Sequence, residues 1–576
     1  MKRLLSYFFV IALSLTSIMG LAQGCLEPSL SEAMNCRGDD EQIEVVALMK
    51  SQYDRTQLNR AAGFCGSRAM RRDFVVGELK AFAEASQSDL RQVLAEMEQQ
   101  GLASSVRSLW SANALYFSAT KTVLLDLADR PDIETIGYNH KEQLIPDTGS
   151  TIASSVSREI TPNLTQVNAD QVWALGYTGA GVVVAVVDSG VNYDHHDLAD
   201  HLWDGGEAFP HHGYDIVNDD DDPMDDKGHG THVAGIVCGD GTSGSQTGVA
   251  PDATLMCVKT TAADGFGGAV NIAGGMEWAV EHGCDLINLS QGMAGAGIPD
   301  KEIFRRTCTA ILDAGIVALV CAGNEGLSIL QMAYPIPNNV RVPASCPPPY
   351  LDPDQMANPG GLSCVVTVGA VNYNDAAADF TSRGPVTWQD TQFGDYAYNP
   401  GIGLIRPDVC APGVNIKSLD YNNLSGYTYY DGTSQATPCV AGIVALMLQK
   451  NPELMPDEIC RILEETSVKL TPNKSNVTGV GRVDALAAVN AVPAWDGISE
   501  NALNVRVYPN PSTDFVTICA PGLQWVEILD ITGKKCITAQ AIHDELQLDV
   551  KQLVAGIYFV TTVTEQGIST QKLMKN

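Results

Sequence analysis

The chain has 576 residues, of which 45% are hydrophobic and 18% charged, with a formal net charge of −32. That length predicts about three folded units, one of them longer than about two hundred residues, and the composition excludes general disorder. The acid excess excludes nucleic acid and anionic membrane as main partners, because both are bound through clustered Lys and Arg.

The chain opens on Lys2 and Arg3, a mostly apolar run from Leu4, and small Gly20 and Ala22 at a spacing that suits cleavage after Ala22. Residues 1–22 therefore read as an export signal. Ser14, Thr16 and Ser17 interrupt the run and no basic stop follows, which argues against a membrane anchor. Gln23 makes a poor acylation box for Cys25. There are 15 cysteines and no Cys-x-x-Cys pair. Cys238, Cys257, Cys284 and Cys321 sit in or beside apolar runs, where Cys acts as a small buried hydrophobe. Export permits disulfides, and two pairs are expected: Cys346 with Cys364, and Cys519 with Cys536.

From about Asp73 to Tyr138 the pattern predicts a small α+β unit. It places a strand at Phe74 to Val76, a helix with Leu90, Val93, Leu94 and Met97 on one face, and a strand at Ala114 to Phe117. A second helix through Val123, Leu124 and Leu127 and a strand at Ile133 to Ile136 complete it. A polar connection follows from Gly149 to Thr161.

Apolar strands alternating with helices fill residues 161–492. Gly181 to Val187, Leu286 to Leu289, Ile316 to Cys321 and Cys364 to Val368 suit parallel strands covered on both faces. Helices are expected at Val270 to Glu281 and Ile303 to Ala314, so the fold class is α/β with a doubly wound parallel sheet. Such sheets bind ligands at the carboxyl ends of their strands, and Asp188 sits at one end while Asn324 follows another. A linker at 493–502 leads to short strands at Phe515 to Cys519, Trp525 to Leu529 and Ile557 to Val563, a small β-sandwich at 503–576.

Three motifs converge on one chemistry: Val186-Val187-Asp188-Ser189-Gly190, His229-Gly230-Thr231-His232-Val233-Ala234-Gly235, and Asp431-Gly432-Thr433-Ser434-Gln435-Ala436-Thr437-Pro438. A serine hydroxyl is a weak nucleophile and needs a neighbouring base, the role that suits His229. The base in turn needs a buried carboxylate to fix its tautomer and stabilise its charge, which Asp188 can supply. Ser434 opens an apolar helical run through Val440, Ile443, Val444 and Leu446, so its N–H and the helix dipole face a developing oxyanion. In Cys321-Ala322-Gly323-Asn324-Glu325-Gly326, Asn324 offers a second oxyanion donor. No cofactor is required by such a mechanism.

At these four motifs the chain resembles the subtilisin-like serine proteases, or subtilases, over Ala169 to Leu486. Gly248-Val249-Ala250-Pro251, Asp285 to Ser290, Val366 to Ala370 and Arg406-Pro407-Asp408-Val409 add to the resemblance. It implies a subtilisin-like fold, endopeptidase activity on protein or peptide substrates, and pairing of an extended substrate with backbone around Gly265, Phe266 and Gly267 and around Ser290, Gln291 and Gly292. Gln435 replaces the Met of the bacillar prototypes, and Cys439 stands where many relatives carry His. Between Leu327 and Leu362 lies an insertion with Pro347-Pro348-Pro349, in the region that usually shapes the primary specificity pocket, so substrate preference does not transfer.

Ala128-Asp129-Arg130-Pro131-Asp132-Ile133-Glu134-Thr135-Ile136 resembles the subtilase inhibitory prodomain, which implies that residues 23–160 are a propeptide, chaperone and temporary inhibitor released by cleavage somewhere beyond His140. The last unit resembles the sorting domain of the type IX secretion system through Val507 to Pro511, Val526 to Gly533 and Ala555 to Val560. Surface or extracellular delivery by outer-membrane machinery is implied.

Other readings of the same residues are structural. Asp188 alone would be a satisfied strand end and Asn324 a turn residue. His229 and His232 lack the glutamate of a zinc motif, and His232 is expected as a buried, hydrogen-bonded helper. Asp219, Asp220, Asp221, Asp222, Asp225 and Asp226 read equally as a structural calcium loop and as a solvated acidic loop. Asp197 matches a family calcium position, but the Asp240 to Gln246 loop lacks the usual Asn, and no definite metal site is assigned. The competing class is a catalytically inactive surface adhesin that keeps the fold, against which the complete set of Asp188, His229, Asn324 and Ser434 speaks.

Overall fold

The computed structural model describes residues 25–63, 65–144, 159–326, 330–347, 365–388, 403–495, 505–541, 543–564 and 567–576. The expected export signal lies outside these, as do most of the 149–161 connection and of the 493–502 linker.

The first unit is a four-stranded antiparallel sheet in the order Ala103–Leu109, Ala114–Thr120, Gln42–Met49, Ile133–Tyr138. Gln42–Met49 lies inside the sheet, so the unit begins well before Asp73. Its side chains alternate between two cores: Ile43, Val45, Ala47 and Met49 face the unit's own helices, while Val46 and Leu48 face the second unit. The strand expected at Phe74 to Val76 is instead part of a 32-residue helix, Arg68–Gln99. Beyond Arg68 its buried residues are Val75, Leu79, Ala83, Gln87, Leu90 and Leu94, and that spacing makes the short apolar run one turn of a long amphipathic helix. Ser67 caps its start by accepting the Met70 N–H at 3.2 Å.

The second unit is a seven-stranded parallel sheet in the order Val409–Pro412, Val366–Val371, Val317–Cys321, Leu286–Leu289, Val183–Asp188, Thr254–Lys259, Gly213–Asp215. Ala269–Glu281 and Ile298–Asp313 cover one face, and His229–Cys238 and Thr433–Lys450 pack against the other. Thr433–Lys450 is buried from Thr433 to Leu448, which explains its almost uninterrupted small and apolar sequence. Three neighbouring strands end on Asp188, just before Ser290 and just before Asn324, so strand order alone gathers those positions at one edge.

The third unit has two antiparallel sheets, Arg506–Tyr508, Phe515–Cys519, Glu545–Asp549 and Lys535–Gln540, Leu523–Asp530, Gly556–Thr564, Gly567–Lys575. Val516, Ile518, Val526, Ile528, Val560 and Leu573 form its core. The expected Cys519–Cys536 disulfide is not formed: the residues lie on strands of different sheets and both thiols are free. Cys364, expected to pair with Cys346, lies outside the described residues. No described helix is long and apolar enough to cross a membrane.

The first unit docks on the helices Ala269–Glu281 and Ile298–Asp313. Arg68 reaches Asp285 at 2.6 Å, Arg55 reaches Asp313 at 2.7 Å, and Arg306 reaches Glu134 at 2.7 Å. The Ser111 N–H donates to the buried Glu277 carboxyl at 2.7 Å. Burial pushes that carboxyl from 4.5 up to about 8, against the pull of the Ser111 hydrogen bonds. Asp300 is pushed the same way, to about 7, chiefly by burial. A carboxyl whose docked pKa is raised favours docking fully below its ordinary pKa, and the contribution is lost as pH rises through the docked value. In a preparation cut between the two units, docking is expected to be weaker at pH 9 than at pH 6, and Glu277→Gln should flatten that dependence. Size-exclusion chromatography across that range checks it, and a pH-independent affinity would contradict it.

Candidate active site

Asp188 is fully buried at the end of its strand, and its Oδ1 accepts the His229 Nδ1 hydrogen at 2.7 Å and the Ser189 N–H at 2.8 Å. His229 is the first residue of the helix His229–Cys238. Gly228 turns the chain into that helix at φ +93°, where a Cβ would also come 2.3 Å from the Tyr421 ring. Asp225 holds the turn: its carboxylate accepts the N–H groups of Lys227 (3.0 Å), Gly228 (2.8 Å) and Thr231 (2.9 Å), and the hydroxyls of Thr231 (2.5 Å) and Ser189 (3.0 Å). One carboxylate thus ties the residue after Asp188 to the helix that carries His229.

Ser434 is the second residue of Thr433–Lys450. Its hydroxyl donates to the Ser290 carbonyl at 2.9 Å, and the Ser290 hydroxyl donates back to the Ser434 carbonyl at 2.9 Å. The hydroxyl must therefore turn before its proton can pass to His229. Asn324 Oδ1 accepts the N–H and the hydroxyl of Thr433 at 3.0 and 3.1 Å, which leaves its NH2 as a donor beside the nucleophile. His229, Ser290, Gln291, Asn324, Thr433 and Ser434 line a single cavity.

The residues expected to bind substrate divide into two groups. Gly265, Phe266 and Gly267 stand outside that cavity, where Phe266–Gly268 pairs antiparallel with Lys141–Gln143 of the chain's own first unit. The Leu144 N–H continues the pairing to the Gly265 carbonyl at 2.9 Å, and Leu144 itself lines the cavity. Ser290 and Gln291 line it too, but the Gln291 amide is turned inward onto the Val187 carbonyl (3.1 Å), Thr260 and Thr261. Gly292 offers its carbonyl to Arg341 at 3.0 Å.

Arg341 and Glu325 are the residues that motif reading misses. Arg341 bonds Glu325 Oε1 through Nε (3.0 Å) and Nη2 (2.6 Å) and holds the Leu144 carbonyl through Nη1 (2.9 Å). The available signal was Glu325 itself: an acid directly after Asn324, at the end of a buried strand, needs a cation nearby.

His232 is buried, its Nε2 hydrogen-bonded to the Ile416 carbonyl at 3.2 Å and its ring stacked on Tyr430. Burial pushes its pKa down to about 3, with His229 nearby adding to the effect, so it stays neutral. In the acidic stretch, Asp222 accepts from Tyr193, Asp219 from Tyr214, and Asp226 pairs with Lys259 at 2.6 Å. Asp197 takes the Ser243 N–H at 2.6 Å and the Tyr427 hydroxyl at 2.8 Å. Among the described residues no group of three or more His, Cys, Asp or Glu is arranged to hold a metal.

A buried carboxylate bound to an imidazole, with a serine at a helix start and an amide donor in the same cavity, is the set of groups that hydrolases of the Asp–His–Ser kind use. Residues 179–482 match the subtilase family, and residues 506–576 match the secretion system C-terminal sorting domain. Bacillopeptidase F of Bacillus subtilis (strain 168) is 31% identical over 470 residues, 76% of this chain but only 30% of that protein. Serine protease AprX of the same organism is 34% identical over 346 residues, 55% of this chain and 67% of the relative. Subtilisin of Bacillus pumilus is 32% identical over 334 residues, 58% of this chain and 99% of the relative. The chain belongs to the subtilase family of serine endopeptidases. Its sorting domain, of the type IX kind, marks it for secretion or the cell surface.

Asp225→Ala removes the acceptor of five hydrogen bonds around the His229 turn. Stability is expected to fall by at least about 1–3 kcal/mol, the cost of buried donors left unpaired. Turnover should fall about tenfold or more, by the loss of orientation that a loosened base causes. Thermal unfolding and steady-state kinetics measure both, and a wild-type kcat would show that Asp225 does not position His229.

Proposed function

We propose that the chain is made as a zymogen and hydrolyses peptide bonds as a secreted serine endopeptidase, with Ser434 as nucleophile, His229 as general base and Asp188 as the group that orients it. The observation that carries this reading is the 2.7 Å Asp188–His229 bond opening onto the cavity that Ser434 and Asn324 share. With Nδ1 held by Asp188, the imidazole presents Nε2 as the acceptor for the serine proton. Attack by Ser434 Oγ on the scissile carbonyl gives a tetrahedral oxyanion, stabilised by the Ser434 N–H, the helix start behind it and the Asn324 NH2. His229 then gives its proton to the leaving amine, and water repeats the sequence on the acyl-enzyme.

The first unit is read as an inhibitory prodomain. Its support is the strand Lys141–Gln143 on Phe266–Gly268, which leads Leu144 into the cavity and leaves no room there for another peptide. Extended substrates are proposed to use the same strand. Ser434→Ala tests the reading: the purified precursor should stay uncut between residues 144 and 159, and maturation at the normal rate would assign the cut to another protease.

Asn324→Ala should lower kcat about a hundred- to thousandfold with KM little changed, because its bond strengthens in the transition state. That magnitude is the subtilisin precedent for losing the oxyanion-hole Asn, not a value derived from this geometry. An unchanged kcat with chemistry rate-limiting would remove Asn324 from the mechanism.

The third unit is proposed to engage the outer-membrane type IX machinery, since it matches a sorting domain and none of its described residues lines the cavity. Deleting residues 503–576 should leave the matured enzyme active and strand the protein in the periplasm of its native cell. Fractionation reads the outcome, and normal release of the truncated chain would contradict the assignment.

A further inference from the structure

The tail that fills the cleft makes one contact that peptide-bond chemistry does not require. Glu142, two residues before Leu144, pairs through its main chain with Gly267, and its side chain crosses to the loop that follows Ser290–Gly292. There the carboxylate is forked: Oε1 accepts the Ala294 N–H, and Oε2 accepts the Gly295 N–H at 3.0 Å. Adjacent main-chain donors, one to each oxygen, match a carboxylate. A Gln amide would turn its own NH2 toward one of them, and a Lys would bring only donors.

Gly295 keeps the space for this side chain. A Cβ built there stands 3.0 Å from Glu142 Oε2 and meets nothing else within 4 Å. Burial is the largest influence on the Glu142 carboxyl and leaves it above its ordinary value, with the two N–H bonds and the Arg341 guanidinium pulling it down and the Glu325 carboxylate pushing it up. The Asp300 carboxyl also faces it. Arg341 is already matched by Glu325 at 2.6 Å, so selectivity rests on the two N–H groups rather than on a spare positive charge.

We propose that Ala294 and Gly295 form an acid-selective subsite that, once the tail has left, takes the Glu side chain of a protein or peptide substrate two residues before the one that replaces Leu144. This rests on the endopeptidase reading above. An Asp side chain is one methylene shorter and does not reach both donors, so the class of substrate is glutamate-bearing.

The test uses the processed, secreted enzyme and six-residue peptides copying residues 139–144, with Glu, Gln, Asp or Lys at the place of Glu142. Each competes against a chromogenic peptide that carries no acid. The Glu peptide is expected to inhibit about tenfold more tightly than the Gln peptide, as a charge-assisted pair of hydrogen bonds allows, and the Lys peptide least. In Gly295→Ala the added methyl displaces the carboxylate, and the Glu-over-Gln ratio should fall toward one. Equal inhibition by the Glu and Gln peptides in the wild type overturns the subsite. Calorimetry on the same preparation reads the peptide affinities without turnover. Failure to hydrolyse the chromogenic peptide therefore removes the endopeptidase reading, while absent Glu preference in calorimetry removes the subsite.

Discussion

The active site depends on a fully buried carboxylate, Asp188, held 2.7 Å from an imidazole. A buried carboxylate is costly unless its lone pairs are used, and here Oδ1 accepts both the Ser189 N–H and the His229 Nδ1 hydrogen, while Oδ2 has no partner among the described residues. The parallel sheet brings Asp188, Ser290 and Asn324 to one edge through neighbouring strand ends, and the helix beginning at His229 returns the imidazole to that edge. Asp225 fixes the helix to the strand end, and the reciprocal bonds between Ser290 and Ser434 fix the second helix to the neighbouring strand. Both devices join elements far apart in sequence, so the site exists only when the whole second unit has folded.

Charge burial recurs at a second place in the same unit. Asp408 lies between Arg406 at 2.7 Å and Lys474 at 3.0 Å, with Lys474 also paired to Glu464 at 2.6 Å. The cations hold the Asp408 carboxyl below its ordinary range despite burial, and it caps the sheet by accepting the Thr367 N–H. Arg406 donates to the carbonyls of Ala344 and Cys346, and Arg341 donates to Gly292 and Leu144. Buried cations thus anchor the segment that motif reading leaves blank to the groove where the tail lies. At the contact with the first unit the same physics acts with the opposite sign, and burial raises the carboxyls of Glu277 and Asp300.

Much of this was legible in the sequence because it is written in short-range terms. Leu286–Leu289 and Phe515–Cys519 fall where apolar runs place them, and the α/β class follows from runs alternating with helices. Asp188 and His229 stand out because one ends a strand and the other begins a helix, and Asn324 and Ser434 because they lie within three residues of an element's end or start. What was not legible depends on partners distant in the chain. Phe74 to Val76 looks like a strand until Leu79, Ala83 and Leu90 are seen to continue one helical face. Gln42–Met49 is apolar on both faces because each face meets a different core, a fact no local pattern carries. The Cys519–Cys536 pairing failed because sequence proximity does not say which sheet a strand joins. Arg341 was invisible because its meaning comes from Glu325 and from the tail.

The central claim is that Ser434 is a nucleophile activated by His229. Its most direct measurement is reaction of the processed enzyme with a fluorophosphonate probe, followed by peptide mapping. A single stoichiometric adduct on Ser434 is expected, lost in His229→Ala while the fold persists. A folded wild-type protein that remains unlabelled, as an inactive adhesin with the same fold would, or a label on another residue, would contradict it.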